Sequence, residues 1–228
     1  MEKSQVTLNH IGFIVDGNRR WAREKGLPTL EGHRRGLEKV EEIIEAVAER
    51  HVPFASFYLF STENWGRAEE EVSYLMDLLR KNLSRLTKKM QKHDLKCLIL
   101  GTDERVDPDL LKKLRLAEKE TENGTSGTIC FCFNYGGHKE IADAAKKIAE
   151  ENGEFSEENL EKHLYHPEVP ACDLIVRTSG EERISGFMLW RAAYSEFLFM
   201  KNYWPDIKSS DLDNILENFE SRSRRFGK

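Results

Sequence analysis

Ile11-Gly12-Phe13-Ile14-Val15-Asp16-Gly17-Asn18-Arg19-Arg20-Trp21 sets the frame for the rest of the chain. Residues 11–15 are an apolar run of the length and composition of a buried strand. A carboxylate, a glycine, an amide and two guanidiniums then emerge together where that strand ends. Gly17 lets the backbone come close to an anion, Asn18 and Arg20 can donate to its oxygens, and Asp16 can hold a divalent cation. Asp-Gly-Asn is also ordinary turn chemistry, so the reading rests on what the other strands carry at their ends.

Outward from this run, strand-like and helix-like segments alternate. Strands are expected over residues 54–60, 95–100, 128–133, 174–176 and 196–200. Helices are expected from about 32–34 to the late forties, where Leu37, Val40, Ile43, Ile44 and Val47 recur at helical spacing, and over 69–90, 110–121, 139–150, 156–165 and 211–221. A basic tail, residues 222–228, follows. Alternation of this kind implies right-handed crossovers and an α/β fold with a mostly parallel sheet flanked by helices. Nothing in 228 residues, 39% of them hydrophobic, forces more than one domain, so residues 1–228 are read as one.

The charge balance narrows the partners. A net charge of -5, with 33% charged residues of both signs, disfavours non-specific nucleic-acid binding. Any anion site must therefore be a local cluster of cations. No apolar run approaches the ~18 residues of a membrane span, and Met1-Glu-Lys-Ser-Gln5 lacks a signal peptide's apolar core. A cytoplasmic protein is expected, with Cys97, Cys130, Cys132 and Cys172 as reduced core thiols.

In open α/β sheets, ligands sit at the carboxyl ends of strands. Four polar stretches occupy such ends here: 16–21, Ser61-Thr62-Glu63-Asn64-Trp65, Asn134-Tyr135-Gly136-Gly137 and the segment 177–185. Arg177 and Arg183, with Ser185 nearby, supply planar forks suited to phosphate. Asn64 is a weak base, so proton removal there needs help from a hydroxyl or a phosphate oxygen; capping the following helix is its plainer role. Arg67 adds another cation. His33, placed at a helix start, could donate to a diphosphate with the aid of the helix dipole. The Gly-rich phosphate loops, His-Glu-x-x-His and Asp-Asp-x-x-Asp are all absent.

In this order the residues resemble the cis-prenyltransferase family, whose bacterial members include undecaprenyl diphosphate synthase. The anchors are residues 10–21, Gly32-His33, residues 60–65, 134–137 and 173–181, Arg183-Ile184-Ser185, Tyr194-Ser195-Glu196 and Arg224-Arg225-Phe226-Gly227. The missing Asp-Asp-x-x-Asp fits, since that motif marks the unrelated trans-acting enzymes. The resemblance implies condensation of isopentenyl diphosphate with an allylic diphosphate, such as farnesyl or geranylgeranyl diphosphate, to form a cis double bond. It implies Mg2+ and a homodimer; contact with a membrane surface is expected to be at most transient, since no clear amphipathic basic helix encodes it. Carried onto this chain, Asp16 is the essential carboxylate at the metal and the allylic diphosphate. Gly17, Asn18, Arg19, Arg20 and His33 would hold that diphosphate, with Trp21 beside the prenyl groups. Arg177, Arg183, Ile184 and Ser185 belong to the isopentenyl diphosphate site. Ser61 and Asn64 would serve the proton-removal step, with Thr62 and Glu63 among the substrate-binding residues. Trp65, Arg67 and Glu71 would order a closing loop. Glu196 would add a metal contact from the partner subunit.

Two departures from the family pattern stand out. Thr29 occupies a position where many relatives carry a diphosphate-binding arginine; Arg34 or Arg35 could supply the contact. Leu59 sits where long-chain members often have a small residue, and Phe131 and Phe133 share one face of a neighbouring strand. The expectation is an apolar tunnel, lined by the 72–90 helix face and shortened by these three side chains. Two other classes of function fit less well. A non-catalytic subunit would not keep Asp16, Asn64, Arg177, Arg183 and Glu196 together, and a phosphate-ester hydrolase would need a second carboxylate-rich metal motif.

Overall fold

The computed structural model describes residues 8–221; the anchor at 224–227 and the tail at 222–228 lie outside them. Six strands form one sheet: β1 His10–Ile14, β2 Phe54–Ser61, β3 Leu95–Leu100, β4 Gly127–Tyr135, β5 Leu174–Arg177 and β6 Glu196–Phe199. Their order is β3-β4-β2-β1-β5-β6, and every pairing is parallel. The helices are α1 Asn18–Glu24, α2 Thr29–Glu49, α3 Glu69–Lys92, α4 Pro108–Glu120, α5 Gly137–Glu150, α6 Glu157–His163 and α7 Ser209–Ser221. Short 3-10 turns cover Thr62–Gly66 and Trp204–Asp206.

Strand alternation divides the core in two. Ile11, Phe13, Ala55, Phe57, Ile129, Phe131 and Phe133 face the larger apolar cluster, built with Val40, Ile44, Leu83, Leu86 and Trp204. Ile14, Tyr58, Cys130, Cys132 and Ile175 face the smaller one, closed by Phe187 and Met188. All four cysteines are buried and free, as the sequence led us to expect.

Two irregularities break the alternation near the carboxyl ends. Tyr58 pairs with Cys132 and Phe60 with Phe133, so Leu59 is an extra residue on β2. Leu59 and Phe60 consequently both meet the larger cluster. Ser61 then pairs with Tyr135, leaving Asn134 as the extra residue on β4, at φ 50°. Tyr135 is thereby turned into the smaller cluster.

The structure corrects two expectations about helices. The polar stretch after β1 is itself the helix α1, too short at seven residues to show a period in the sequence. The next helix starts at Thr29, directly after Pro28, rather than at 32–34. Gly32 and Gly36 lie inside it, one turn apart, where α1 crosses. A Cβ on Gly32 would sit 2.1 Å from the Asn18 carbonyl oxygen, and one on Gly36 would sit 2.5 Å from Asn18 Oδ1. Side chains here would push α1, and the residues it carries, away from α2.

Candidate active site

β1 is followed by the crossover to β2 on one side, whereas β5, on its other side, leads to β6. The order in which strands are added therefore reverses between β1 and β5, the position where open α/β sheets bind ligands. Asp16 follows β1, and Arg177 ends β5 opposite Ile14. Arg177 donates to Asp16 Oδ2 at 2.9 Å, and Arg20 reaches the same oxygen at 3.3 Å. The Gly17 N–H donates to Asp16 Oδ1 at 2.7 Å. Burial pushes the Asp16 carboxyl up, but the hydrogen bond and charge of Arg177, the Gly17 N–H and the charge of Arg20 outweigh it, so the net direction is down. Asp16 is ionised at neutral pH.

Gly17 takes φ 103°, a left-handed conformation, and a Cβ there would meet the Tyr203 ring at 2.6 Å. Only glycine fits this bend between β1 and α1. Arg20 also donates to Ser179 Oγ at 2.6 Å and to Glu181 at 2.8 Å. Arg177 donates to Ser185 Oγ at 2.8 Å and to the Arg183 carbonyl at 2.5 Å. This buried guanidinium thus ties residues 183–185 to the end of β1.

A second carboxylate organises the opposite wall. Glu71 Oε1 receives Arg67 at 2.9 Å and His33 Nε2 at 3.0 Å, with Arg19 Nε 3.9 Å away. His33 lies in the second turn of α2, away from the helix start to which the sequence reading assigned it. Burial drives its pKa down more strongly than the Glu71 hydrogen bond raises it. Ser61 accepts from the Glu63 N–H, and Asn64 Oδ1 accepts from the Ser61 N–H at 3.1 Å, so this pair caps the 3-10 turn at Thr62–Gly66.

These groups surround one open cavity of about 770 Å³. Of the residues singled out in the sequence, Asp16, Gly17, Asn18, Arg19, Arg20 and His33 line it from the β1 side. Ser61, Glu63, Asn64, Arg67, Arg177 and Ser185 complete the wall. A small apolar recess of about 70 Å³ adjoins it through Val15, Leu59 and Leu75, and ends at Phe60, Leu79 and Phe133.

Other residues lie elsewhere. Trp21 is buried, donates to Asp206 at 2.7 Å and lines a separate surface groove. Thr62 packs against Gly136. Trp65 donates to Asn134 at 2.8 Å and stacks edge-on with Phe60. Asn134 also donates to the carbonyls of Thr102 and Glu104, so the third polar stretch serves mainly to brace neighbouring loops. The Arg183 guanidinium turns outward to Glu181 at 2.5 Å, and Ile184 packs on the smaller core cluster. Glu196 opens β6, opposite Leu174, at the far end of the sheet from Asp16. Arg34 and Arg35 do not supply a contact in place of Thr29: both pair with Glu31 and Glu38 and neither lines the cavity. Phe131 sits in the closed core and does not reach the recess. On the 72–90 face only Leu75 and Leu79 reach it, joined by Leu78, while Val72, Met76, Leu83, Leu86 and Met90 pack in the core.

Sequence reasoning passed over Arg23 and His138, which also line the cavity. Arg23 recurs four residues after Arg19, a signal visible only once the segment is known to be helical.

Among the described residues no three His, Cys, Asp or Glu side chains cluster as a metal cage. Asp16 offers a single ionised hard-oxygen donor in an open, cation-rich cavity. Mg2+ commonly binds through one or two carboxylates together with substrate phosphates, and Asp16 fits that habit.

Comparison with known proteins agrees with this geometry. The Prenyltransf family model, described as "Putative undecaprenyl diphosphate synthase", matches residues 14–227. An isoprenyl transferase of Thermotoga maritima is 40% identical over 223 residues, covering 96% of both chains. A trans,polycis-polyprenyl diphosphate synthase ((2Z,6E)-farnesyl diphosphate specific) of Thermobifida fusca is 38% identical over 230 residues, covering 98% of this chain and 82% of that one. Among solved structures, lavandulyl diphosphate synthase from Lavandula x intermedia, in complex with dimethylallyl diphosphate, superposes with TM-score 0.94 at 29% identity, covering 99% of this chain and 100% of that one. A probable undecaprenyl diphosphate synthase from Campylobacter jejuni gives TM-score 0.83 at 28% identity, covering 97% and 99%. A parallel sheet whose switch point joins an aspartate to two arginines, and a match running nearly end to end, place the chain in the undecaprenyl diphosphate synthase family of prenyl transferases.

Proposed function

We propose that this chain is a cis-prenyltransferase. It condenses isopentenyl diphosphate with an allylic diphosphate, such as farnesyl or geranylgeranyl diphosphate, to a cis-polyprenyl diphosphate that serves as a carrier-lipid precursor. The observation that carries the reading is the convergence of Arg20 and Arg177, from opposite sides of the switch point, on one oxygen of Asp16.

The reaction breaks the allylic carbon–oxygen bond, joins that allylic carbon to the terminal alkene carbon of isopentenyl diphosphate, and removes a proton from C2 of the isopentenyl unit as the new double bond forms. Inorganic diphosphate departs with the bonding electrons. Asp16 would hold Mg2+, which supplies charge neutralisation to the departing diphosphate. Arg19, Arg20 and His33, with the Gly17 and Asn18 backbone, would hold the allylic diphosphate. Arg177, Ser185 and a rotated Arg183 would hold the isopentenyl diphosphate. Fixing both diphosphates in one cavity provides proximity, and the guanidiniums provide electrostatic stabilisation of the leaving group. Ser61 and Asn64, already hydrogen-bonded into one turn, would receive the proton with help from a phosphate oxygen. The apolar recess would take the prenyl tail; at about 70 Å³ it is smaller than the ~150 Å³ that accommodates benzene, so α2 and α3 must part as the tail grows.

We assign the enzyme to the cytoplasm as a homodimer, with the partner copy contributing the Glu196 metal contact. Support for the compartment comes from the four buried, unpaired cysteines. Glu196 lies far from Asp16 within one chain, which is why its role requires the second copy.

Purified chain incubated with radiolabelled isopentenyl diphosphate, Mg2+ and allylic starters of different lengths should yield labelled polyprenyl products. Chelation should stop the reaction and Mg2+ restore it. Asp16→Ala should lower turnover by about 10²–10³-fold while leaving isopentenyl diphosphate binding nearly intact. Full turnover in that variant would overturn the proposed chemistry.

A further inference from the structure

The geometry points to Arg23 as an additional ligand of the allylic diphosphate, a role that rests on the proposed function. Five guanidiniums line the cavity: Arg19, Arg20, Arg23, Arg67 and Arg177. Four of them are held by carboxylates of the protein. Arg20 and Arg177 share Asp16, Arg20 also meets Glu181, and Arg67 and Arg19 face Glu71. Arg23 is the one that makes no side-chain ion pair or hydrogen bond among the described residues.

That difference has an energetic consequence. An incoming phosphate competes with Asp16, Glu181 or Glu71 for each of the other four, and the broken pair offsets part of the new contact. Arg23 has no carboxylate to release. Its contact with the anion is offset only by desolvation and side-chain ordering.

Position supports the same role. Arg23 is one helical turn beyond Arg19 on α1, so the two lie on the same side of that helix. Lys25, the remaining cation of this segment, is committed elsewhere, its ammonium 5.2 Å over the Trp21 ring. Thr29 at the start of α2 offers no charge, and Arg34 and Arg35 are paired with Glu31 and Glu38 outside the cavity. On a chain of net charge -5, a diphosphate is drawn in by local cations alone. Arg23 extends the row of arginines that α1 presents to the cavity beyond Arg19 and Arg20, and adds a further donor to the diphosphate.

The test compares wild type with Arg23→Gln, Arg23→Lys and Arg34→Gln, the last being a control outside the cavity. Arg23→Gln should raise KM for the allylic diphosphate about tenfold, equivalent to ~1.4 kcal/mol, with kcat and the isopentenyl diphosphate KM unchanged. Arg23→Lys should recover most of the loss, and added salt should narrow the gap between wild type and Arg23→Gln. Calorimetric titration with inorganic pyrophosphate should show the same ordering of affinities. An allylic KM within twofold of wild type, or an equal rise in both KM values, overturns the assignment while leaving the proposed function standing. If wild type itself makes no product, the proposed function fails, and equal pyrophosphate affinities in wild type and Arg23→Gln then overturn the Arg23 assignment as well.

Discussion

Single side chains here show how burial sets protonation. His10 is fully buried in β1, bonded to the Pro170 carbonyl at 2.9 Å and to Ser56 Oγ at 2.7 Å. Burial lowers its pKa from 6.5 to about 4, more than the Pro170 carbonyl can raise it. The neutral ring is the form that fits. Above pH 6.5 the ring is neutral in both folded and unfolded chains, so it adds no pH dependence. Between pH 6.5 and 4 the unfolded chain takes up the proton first, and stability falls as pH falls, by about 3 kcal/mol at most. Urea unfolding at pH 7 and at pH 4.5 should show this loss, and His10→Gln should flatten the slope even if it lowers stability at pH 7. Asp16 has the opposite charge type but the same sign: its depressed pKa contributes stability above the ordinary carboxylate range that is lost in acid.

At the level of elements, the carboxyl end of β2 shapes the apolar recess. The bulge places Leu59 next to Phe60 on the same face, facing Leu75 and Leu79 of α3. A regular strand would have turned one of the two away. We expect Leu59→Ala to widen the recess where it opens from the cavity and shift products to longer chains on mass analysis, and an unchanged length distribution would count against Leu59 as a limit on chain length. The position of Leu59 was legible in the sequence, but its neighbours were not. Phe131 and Phe133 share a face as strand alternation requires, yet only Phe133 reaches the recess. Period-two reasoning identifies a face; it does not say how far along that face a cavity extends. The helix α1 was missed for a related reason, since seven residues give less than two turns and no periodic signal.

Across the whole molecule, the segment after β5 must be held so that Ser185 and Arg183 stay beside Arg177. A buried ion pair between Arg191 and Glu140 does this. Arg191 donates to Glu140 of α5 at 2.6 Å and to the carbonyls of Val169, Tyr165 and His166, while the Tyr135 hydroxyl donates to the other Glu140 oxygen at 2.5 Å. Arg191→Met would leave the Glu140 carboxylate buried and unpaired, and should cost about 3–5 kcal/mol in urea unfolding. The sequence by itself determined the α/β class, a parallel sheet, and the polar stretches at the ends of β1, β2 and β5 that meet in one cavity, because strand and helix periods and strand-end chemistry are local properties of the chain. Only the tertiary structure decided that the third polar stretch braces loops, that Trp21 faces away, that Glu196 stands at the far end of the sheet, and that Arg23 is the arginine of the cavity left without an ion pair among the described residues. Those outcomes depend on strand order, on the two bulges and on the Gly32–Gly36 crossing. Each of these is a contact between segments distant in sequence, which no local pattern of residues encodes.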